Sequence, residues 1–526
     1  MKWKVTPKKS DDLIEQLLIS RGIINKEVFF SPKLSLYDGD LEIPEIKKAQ
    51  DRIARAIEKG EQIVIYGDYD VDGICASAIL YKGLASIGAK VLPYIPHREK
   101  EGYGLSNVGL EFARDSGASL VITVDNGIVA IEQAKYAKSI GLDLIITDHH
   151  LPGDKRPEAF EIVHSTKMCG ASIAWCLLKG IIPKELQTEL LQFAAIATVC
   201  DLIPLIELGR AFVAGGLKIL NKTTNPGLIA LIEKSNINQE LGTYEIGYVL
   251  GPRLNAIGRL EHAIDALRLL CTKDQTKAKR LAKLLCQTNT ARQQMTQEAT
   301  DEARLLIDGS KKIHILKSGK WAQGIIGLIA GKITEEFSRP AIAISIGETI
   351  SKGSARSVSG VNIIEIIRSC SDILIDVGGH RGAAGFSIEN KYIEEFKKRL
   401  EKLVIDLPDE VEKVLEIDAE VESNKLSKKL ISQLDEFEPF GFGNPRPIFA
   451  TYNMKASDIR TVGNGKHLKL KVDDFDAIAF GMGQLASSLR TGQLIDLAYN
   501  LELNVYNGFE KVQLKVKDIK INTGND

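Results

Sequence analysis

Between about residue 46 and residue 205 the chain alternates short apolar, β-rich runs with helix-like stretches. The runs are EQIVIYG at 61–67, KVLPYI at 90–95, SLVITV at 119–124, LDLIIT at 142–147 and FEIV at 160–163. A crossover long enough to return the chain to the same end of a sheet has room for a helix. Strands spaced in this way therefore become parallel neighbours, with helices on the faces of the sheet. The pattern predicts an α/β fold built on a parallel sheet.

The remaining sequence divides around this block, since 526 residues are too many for one ordinary core. Residues 1–45 read as a small helical lead-in containing DDLIEQLLISRGI, and 206–310 as a mostly helical segment. Its last part, 273–308, is polar on most faces and free of Gly and Pro, as in a helix that bridges two lobes. Residues 311–405 form a second α/β region with KIHILKS, a helix near IIGLIAGKITEEF, then AIAISIG, KGSARS and GGHRGAAG. The acidic stretch VIDLPDEVEK at 403–412 reads as a linker. Residues 406–526 are β-rich, with turn signals at VGNGKH, YNGFEK and INTGND, and predict a small β-barrel or sandwich.

Composition excludes some classes. The formal net charge is only -1, so a polyanionic ligand would have to meet positive charge gathered in one groove. Seven scattered cysteines (Cys75, Cys169, Cys176, Cys200, Cys271, Cys286 and Cys370) include no CxxC pair and read as free thiols of a reducing compartment. The basic N-terminus lacks a following apolar core, and no run approaches the length of a membrane span. A cytoplasmic protein with no membrane partner is expected.

The acidic residues fall in informative places. The first strand runs into Asp68-Tyr69-Asp70-Val71-Asp72-Gly73, the third into Asp125-Asn126-Gly127, and the fourth into Asp148-His149-His150. In an open parallel sheet, ligands sit beyond the carboxyl ends of the strands. Three strands thus deliver carboxylates and imidazoles to one edge, and Asp201, after the apolar helix FAAIATVC, can reach the same place. A lone Asp after a strand is usually a helix N-cap, but the joint occurrence argues against that reading here. Clustered carboxylates raise one another's pKa unless cations neutralise them. Oxygen ligands with one or two imidazoles and no thiolate suit Mn²⁺ or Mg²⁺, and two such ions serve phosphoryl displacement.

At these residues the chain resembles the DHH phosphoesterase superfamily, and within it the RecJ-type exonucleases specific for single-stranded DNA. The segments IYGDYDVDGICAS, TVDNGI, TDHH, ATVCDLIPL, GPRLNAIGRL, WAQGIIGLIAGKI, KGSARS, GGHRGAAG and FGFGNPRPIF follow the family's order across nearly the whole chain. The resemblance implies a DHH domain at 46–205, a DHHA1 domain at 311–405 and a C-terminal oligonucleotide-binding (OB) barrel. It implies metal ligands at Asp70, Asp72, Asp125, His149 and Asp201, with Asp68, Asp148 and His150 in or just behind the coordination sphere. Shorter members carry a His ahead of the first Asp pair, and Tyr66 or Asp68 stands near that place here. Two departures are visible: HSTKMCGAS at 164–172 replaces a longer Asn-Pro-containing loop, and Phe442 stands where an acidic residue is common.

Phosphate binding needs donors. The resemblance implies that Arg98, Arg253, Ser354 and Arg356 help form a pocket for the 5′ end, and Arg259 flanks the same LNAIG motif as Arg253. Taken alone, each arginine reads as a solvated or salt-bridged residue. GGHRGAAG reads alone as a tight turn and helix start; by resemblance, Gly378 and Gly379 let the backbone approach substrate while His380 donates near the scissile phosphate. In the terminal segment, Tyr452, Phe475, Tyr506 and Phe509 are interleaved with Arg460, Lys466, Lys469, Lys471 and Lys511. Aromatics beside cations are what sequence-tolerant single-strand binding requires.

The resemblance therefore implies a 5′→3′ exonuclease that releases nucleoside 5′-monophosphates with two Mn²⁺ or Mg²⁺ ions, in DNA repair and recombination. A helicase and a single-strand-binding protein are the implied partners. The rivals are a phosphodiesterase of short oligoribonucleotides or cyclic dinucleotides, whose members lack the terminal barrel, and a non-catalytic scaffold, which would have lost acidic motif positions.

Overall fold

The computed structural model describes residues 1–405, 413–506 and 508–521, with Tyr506 described by its backbone alone. Most of the acidic stretch at 403–412 and the last turn signal therefore lie outside the described residues, as does the side chain of Tyr506. The chain forms two compact units. One holds Tyr37–Ile203 with the segment that starts at Ala211; the other joins Met1–Leu36 and Pro204–Arg210 to the C-terminal region.

In the larger unit, the first sheet contains β1 (Gln62–Tyr66), β2 (Lys90–Tyr94), β3 (Ala118–Val124), β4 (Asp143–Asp148) and β5 (Glu161–His164). Its order is β2-β1-β3-β4-β5 and every pair is parallel. The apolar runs explain this arrangement: Ile63, Val64, Ile65 and Tyr66 of β1 are all buried, as a strand covered on both faces must be. The strand order reverses between β1 and β3, which opens a crevice at their carboxyl ends. Helices α1 (Val71–Ser86), α2 (Gly170–Leu178) and α3 (Lys184–Cys200) pack together beside the sheet and are almost wholly apolar where they meet.

Helix α4 (Gly251–Leu260) follows a π-helical turn (Glu245–Leu250) and leads towards α5 (Gln275–Leu305). Asp274 caps α5 by accepting from the amides of Thr276 and Lys277 at 2.7 and 3.0 Å. With 31 residues, α5 extends about 46 Å. It packs on α4 and its neighbours and then on α6 (Ile326–Phe337) of the second lobe, so it joins the two lobes as expected. One face is nonetheless buried, through Leu281, Leu285, Thr288, Thr296 and Thr300. Its polarity disguised that face because threonine hydroxyls bond back to the helix's own carbonyls. The second sheet holds β6 (His314–Ser318), β7 (Ala341–Ser345), β8 (Ile350–Arg356), β9 (Leu374–His380) and β10 (Ala383–Glu389) in the order β9-β10-β8-β7-β6. GGHRGAAG is a β-hairpin bend between β9 and β10, and no helix starts there.

In the smaller unit, β11 (Phe449–Val462), β12 (His467–Val472), β13 (Phe475–Ala479), β14 (Leu494–Tyr506) and β15 (Phe509–Ile521) close into a barrel, since β14 pairs back onto β11. The start of the chain is not only helical. Lys2–Val5 is a strand parallel to Val414–Ile417, a pairing across more than four hundred residues that no local pattern could reveal. Leu17, Leu18 and Phe29 share the barrel's core. The Arg210 guanidinium is buried there, donating to the carbonyls of Phe29, Phe437, Glu438 and Pro439 and lying 4.0 Å from the Phe29 ring. Among the described residues no helix is long and apolar enough to cross a membrane.

Arg210→Met should leave these carbonyls unpaired and lower stability by about 3 kcal/mol. Urea unfolding followed at the barrel would read this, and an unchanged midpoint would contradict the tie.

Candidate metal centre

The first acidic loop leaves β1 and turns at once into α1. Asp70 caps that helix by accepting from the Gly73 amide at 3.0 Å. Asp72, in the first turn of α1, is pinned from the other side: its two oxygens accept from the amides of Gly170 and Ala171, at the start of α2, at 2.6 and 2.7 Å. The close approach is possible because Gly170 has no side chain; a Cβ there would lie 2.7 Å from that of Asp125. Asp125 takes φ 62°, a left-handed conformation tolerated by few residues other than Gly, Asn and Asp, and so turns its carboxylate back into the crevice.

The side chains converge. His149 Nε2 lies 3.0 Å from Asp125 Oδ1, 3.5 Å from Asp201 Oδ2 and 3.6 Å from Asp72 Oδ2. Three overlapping groups of potential ligands each fall within 4.8 Å: Asp72, His149 and Asp201; Asp68, Asp70 and Asp125; and, sharing a residue with each of these, Asp125, His149 and His150. Asp201 caps the end of α3. Tyr66 turns away, its hydroxyl bonded to Ser106 and Gly104, so Asp68 is the nearer of the two residues considered for the first position.

Burial pushes the Asp68 and Asp125 carboxyls well up, and the neighbouring carboxylates push them further. Burial, then Asp72 and Asp70, raise Asp201 to about 8. Burial holds the His149 imidazole below its usual value. Asp148 behaves differently. Burial works against its charge, but His150 Nδ1 at 2.7 Å and the amides of Ile128, His149 and His150 outweigh it and hold the carboxyl low. Both Asp148 oxygens are thus occupied by internal donors.

The donor set fits divalent cations. Asp68 Oδ1, Asp125 Oδ1 and His149 Nε2 are buried without a hydrogen-bond partner, a costly state for three polar atoms within one crevice. Oxygen ligands with an imidazole match the hard ions Mn²⁺ and Mg²⁺.

Beside this crevice four arginines gather. Arg98 lies over the Tyr69 ring at 4.7 Å. Arg259, at the end of α4, donates to the Gly324 carbonyl of the second lobe, where a Cβ at Gly324 would collide with the Arg259 backbone. Burial, then Arg98, Arg292 and Arg356, lower the Arg259 guanidinium to about 10. Arg356 on β8 donates to Ser354 Oγ at 3.2 Å, and Gly327 leaves space against both.

Of the residues singled out by sequence, Arg98, Arg259, Ser354 and Arg356 come together, while Arg253 sits earlier on α4, donating to the Val249 carbonyl. His380 is exposed on the edge strand β9, accepts from the Gly382 amide, and makes no hydrogen bond to the acidic crevice among the described residues. Gly379 has φ 145° and packs against Ala384, which explains the glycine. Three contributors escaped the sequence reading: Arg292, hidden in a polar helix; Tyr103, whose hydroxyl reaches His150 and the Asp125 carbonyl; and the Gly170 and Ala171 amides, which no side-chain pattern signals.

Three family models match the sequence: the DHH family, N-terminal domain, over residues 62–198; the DHHA1 domain over 310–406; and the RecJ OB domain over 417–518. The single-stranded-DNA-specific exonuclease RecJ of Bacillus subtilis is 35% identical, covering 97% of this chain and 68% of its own length. The chain belongs to the RecJ family. The RecJ of Salmonella typhimurium is 32% identical over 90% of both chains. The crystal structure of Thermus thermophilus RecJ with Mn²⁺ superposes with a TM-score of 0.87 at 28% identity, covering 99% of this chain and 79% of that one. The same RecJ with Mg²⁺ gives 0.82 at 27% identity, covering 99% and 78%. The α/β architecture with a terminal barrel is thus the RecJ fold.

Gly170→Ala should drive Asp125 and the Asp72 cap apart and weaken Mn²⁺ binding roughly ten- to a hundredfold, as loss of outer-sphere support does. Calorimetric titration would read it, and wild-type affinity would disprove the dependence.

Proposed function

We infer that this RecJ-family protein is a 5′→3′ exonuclease that hydrolyses single-stranded DNA to nucleoside 5′-monophosphates with two divalent cations. One observation carries this reading: a crevice of partnerless buried carboxylates and an imidazole adjoins an arginine pocket built from both lobes of the larger unit. Asp68, Asp70 and Asp125 would hold one ion, and Asp72, His149 and Asp201 the other, with Asp125 beside both groups. When bound, such ions lower the pKa of a coordinated water and neutralise charge on the phosphoryl oxygens.

The chain's own residues do the rest. Asp148 accepts from His150 Nδ1 and fixes the ring, which leaves Nε2 to meet the substrate or Tyr103; Asp148 is a positioning residue. Arg98, Arg259 and Arg356, with Ser354, would bind the terminal phosphate, where guanidinium groups pair with its oxygens. They come from the loop after β2, from α4 and from β8, so a phosphate among them is enclosed on several sides and reached by a strand's end more readily than by its middle. Arg253 would contact the strand further on. Gly378 and Gly379 would admit the backbone while His380 donates near the scissile phosphate.

The barrel supplies the shape for holding single strands. There Tyr452 bonds to Glu420, Phe475 packs partly against the core and Phe509 is exposed. The family implies a cytoplasmic role in DNA repair and recombination beside a helicase and a single-strand-binding protein.

With Mn²⁺, 5′-labelled single-stranded DNA should yield labelled mononucleotide, and duplex DNA, short RNA and cyclic dinucleotide should persist; preferential cleavage of the last two would sink the reading. Asp125→Asn keeps a residue that tolerates the left-handed backbone. It should cut the rate by roughly a hundredfold or more, beyond the loss usual for outer-sphere partners. Strand binding should be retained, and a fully active variant would remove Asp125 from the centre.

A further inference from the structure

We propose that Tyr244 and Tyr248 form a stacking platform for bases of the substrate strand, on the opposite side of the metal crevice from the arginine pocket, a role that rests on the single-strand exonuclease reading above. Both rings are left in water, 64% and 73% exposed. They stack on each other at 5.1 Å with planes 28° apart. An aromatic pair of this kind presents one further π-face, and exposed aromatic area of this size is favourable to cover.

The local backbone is arranged to produce the pair. Glu245–Leu250 is a π-helical turn, a wider and less favourable turn than an α-helix and one often found at functional sites. Residues four apart lie on one face of a helical turn, so Tyr248 lies over Tyr244. The turn is anchored at the crevice. A Cβ at Gly247 would touch Val199, the Ile246 carbonyl accepts from Cys200 Sγ, and a Cβ at Gly251 would strike that sulfur. Cys200 directly precedes Asp201.

The turn continues into α4, which gives the site a direction. Tyr244 and Tyr248 come first, beside the end of α3 that carries Asp201. Asn255 follows, accepting from the Val71 amide within the first acidic loop. Arg259 comes last, among the other arginines. Eleven residues at 1.5 Å each separate Tyr248 from Arg259 by about 16 Å, a span of a few nucleotides. A strand with its 5′ phosphate among the arginines and its scissile bond at the carboxylates would therefore bring its following bases to the tyrosines. Arg253 stands one turn beyond Tyr248, with its Nε buried and unpartnered. Aromatics that stack any base next to a cation that holds the backbone suit sequence-independent single strands.

The test measures kcat and KM, with Mn²⁺, on a 5′-phosphorylated homothymidine strand and on the same strand with its internal nucleotides made abasic. The wild-type enzyme should show a KM roughly tenfold higher on the abasic strand, the size of a stacking contribution. Tyr248→Ala should raise KM on the intact strand to that level, lose the distinction between the two strands and change KM more than kcat. Tyr248→Trp should restore the distinction, which a purely structural role would not. The platform is overturned if Tyr248→Ala distinguishes the strands as the wild type does, or if it loses equal amounts on both. A wild-type enzyme that degrades neither strand overturns the exonuclease reading itself, and the platform with it.

Discussion

Like charges held at close range in a dry crevice set the terms for the metal-binding half. Two unit charges 4 Å apart repel by on the order of 4 kcal/mol in a medium typical of protein, and this site gathers several. The fold holds them by anchoring each carboxylate separately. Asp70 caps its own helix, Asp72 is clasped by the first amides of α2, Asp201 ends α3, and Asp125 is turned inward by a left-handed backbone. Each anchor belongs to a different element, so the convergence depends on the packing of α1, α2 and α3 against the sheet. Proton uptake by Asp125 and Asp201, or occupation by cations, relieves the strain.

The Asp148-His149-His150 triplet divides its labour. The three residues are adjacent in sequence and chemically alike on paper. In the fold Asp148 spends all its hydrogen-bonding capacity on its neighbours, His149 points its Nε2 into the carboxylates, and His150 remains half exposed beside Tyr103. The strand ends at Asp148, and the turn that follows sets the two imidazole rings 4.5 Å apart on the Asp125 side, with His149 the deeper of the two.

Much of this was legible in the sequence, for physical reasons. Five apolar runs separated by helices could only be a parallel sheet, and acids at three strand ends could only meet at its carboxyl edge. The second α/β lobe was legible from the same alternation, and turn residues marked the terminal segment as a small barrel or sandwich, of which the resemblance chose the barrel. What escaped depends on contacts between distant segments. The strand at Lys2–Val5 exists because Val414–Ile417 offers an edge. The buried face of α5 is polar and hides from hydrophobic periodicity. Arg292 gained its neighbours only when α5 was laid beside α4, and Arg253, six residues from Arg259, was carried away from that group by the turn of a helix. The glycines of GGHRGAAG alone do not separate a hairpin from a turn that starts a helix, because glycine serves both kinds of bend.

The four crowded guanidiniums also give the protein a way to count charge. They repel one another, and burial with that repulsion lowers the Arg259 guanidinium to about 10, although Asp70 nearby works the other way. An arriving anion discharges that repulsion in proportion to its valence. A phosphate monoester carries close to two negative charges where an internal diester carries one. A terminal phosphate would therefore relieve more of that repulsion than an internal one, a preference set by charge before any steric stop comes into play.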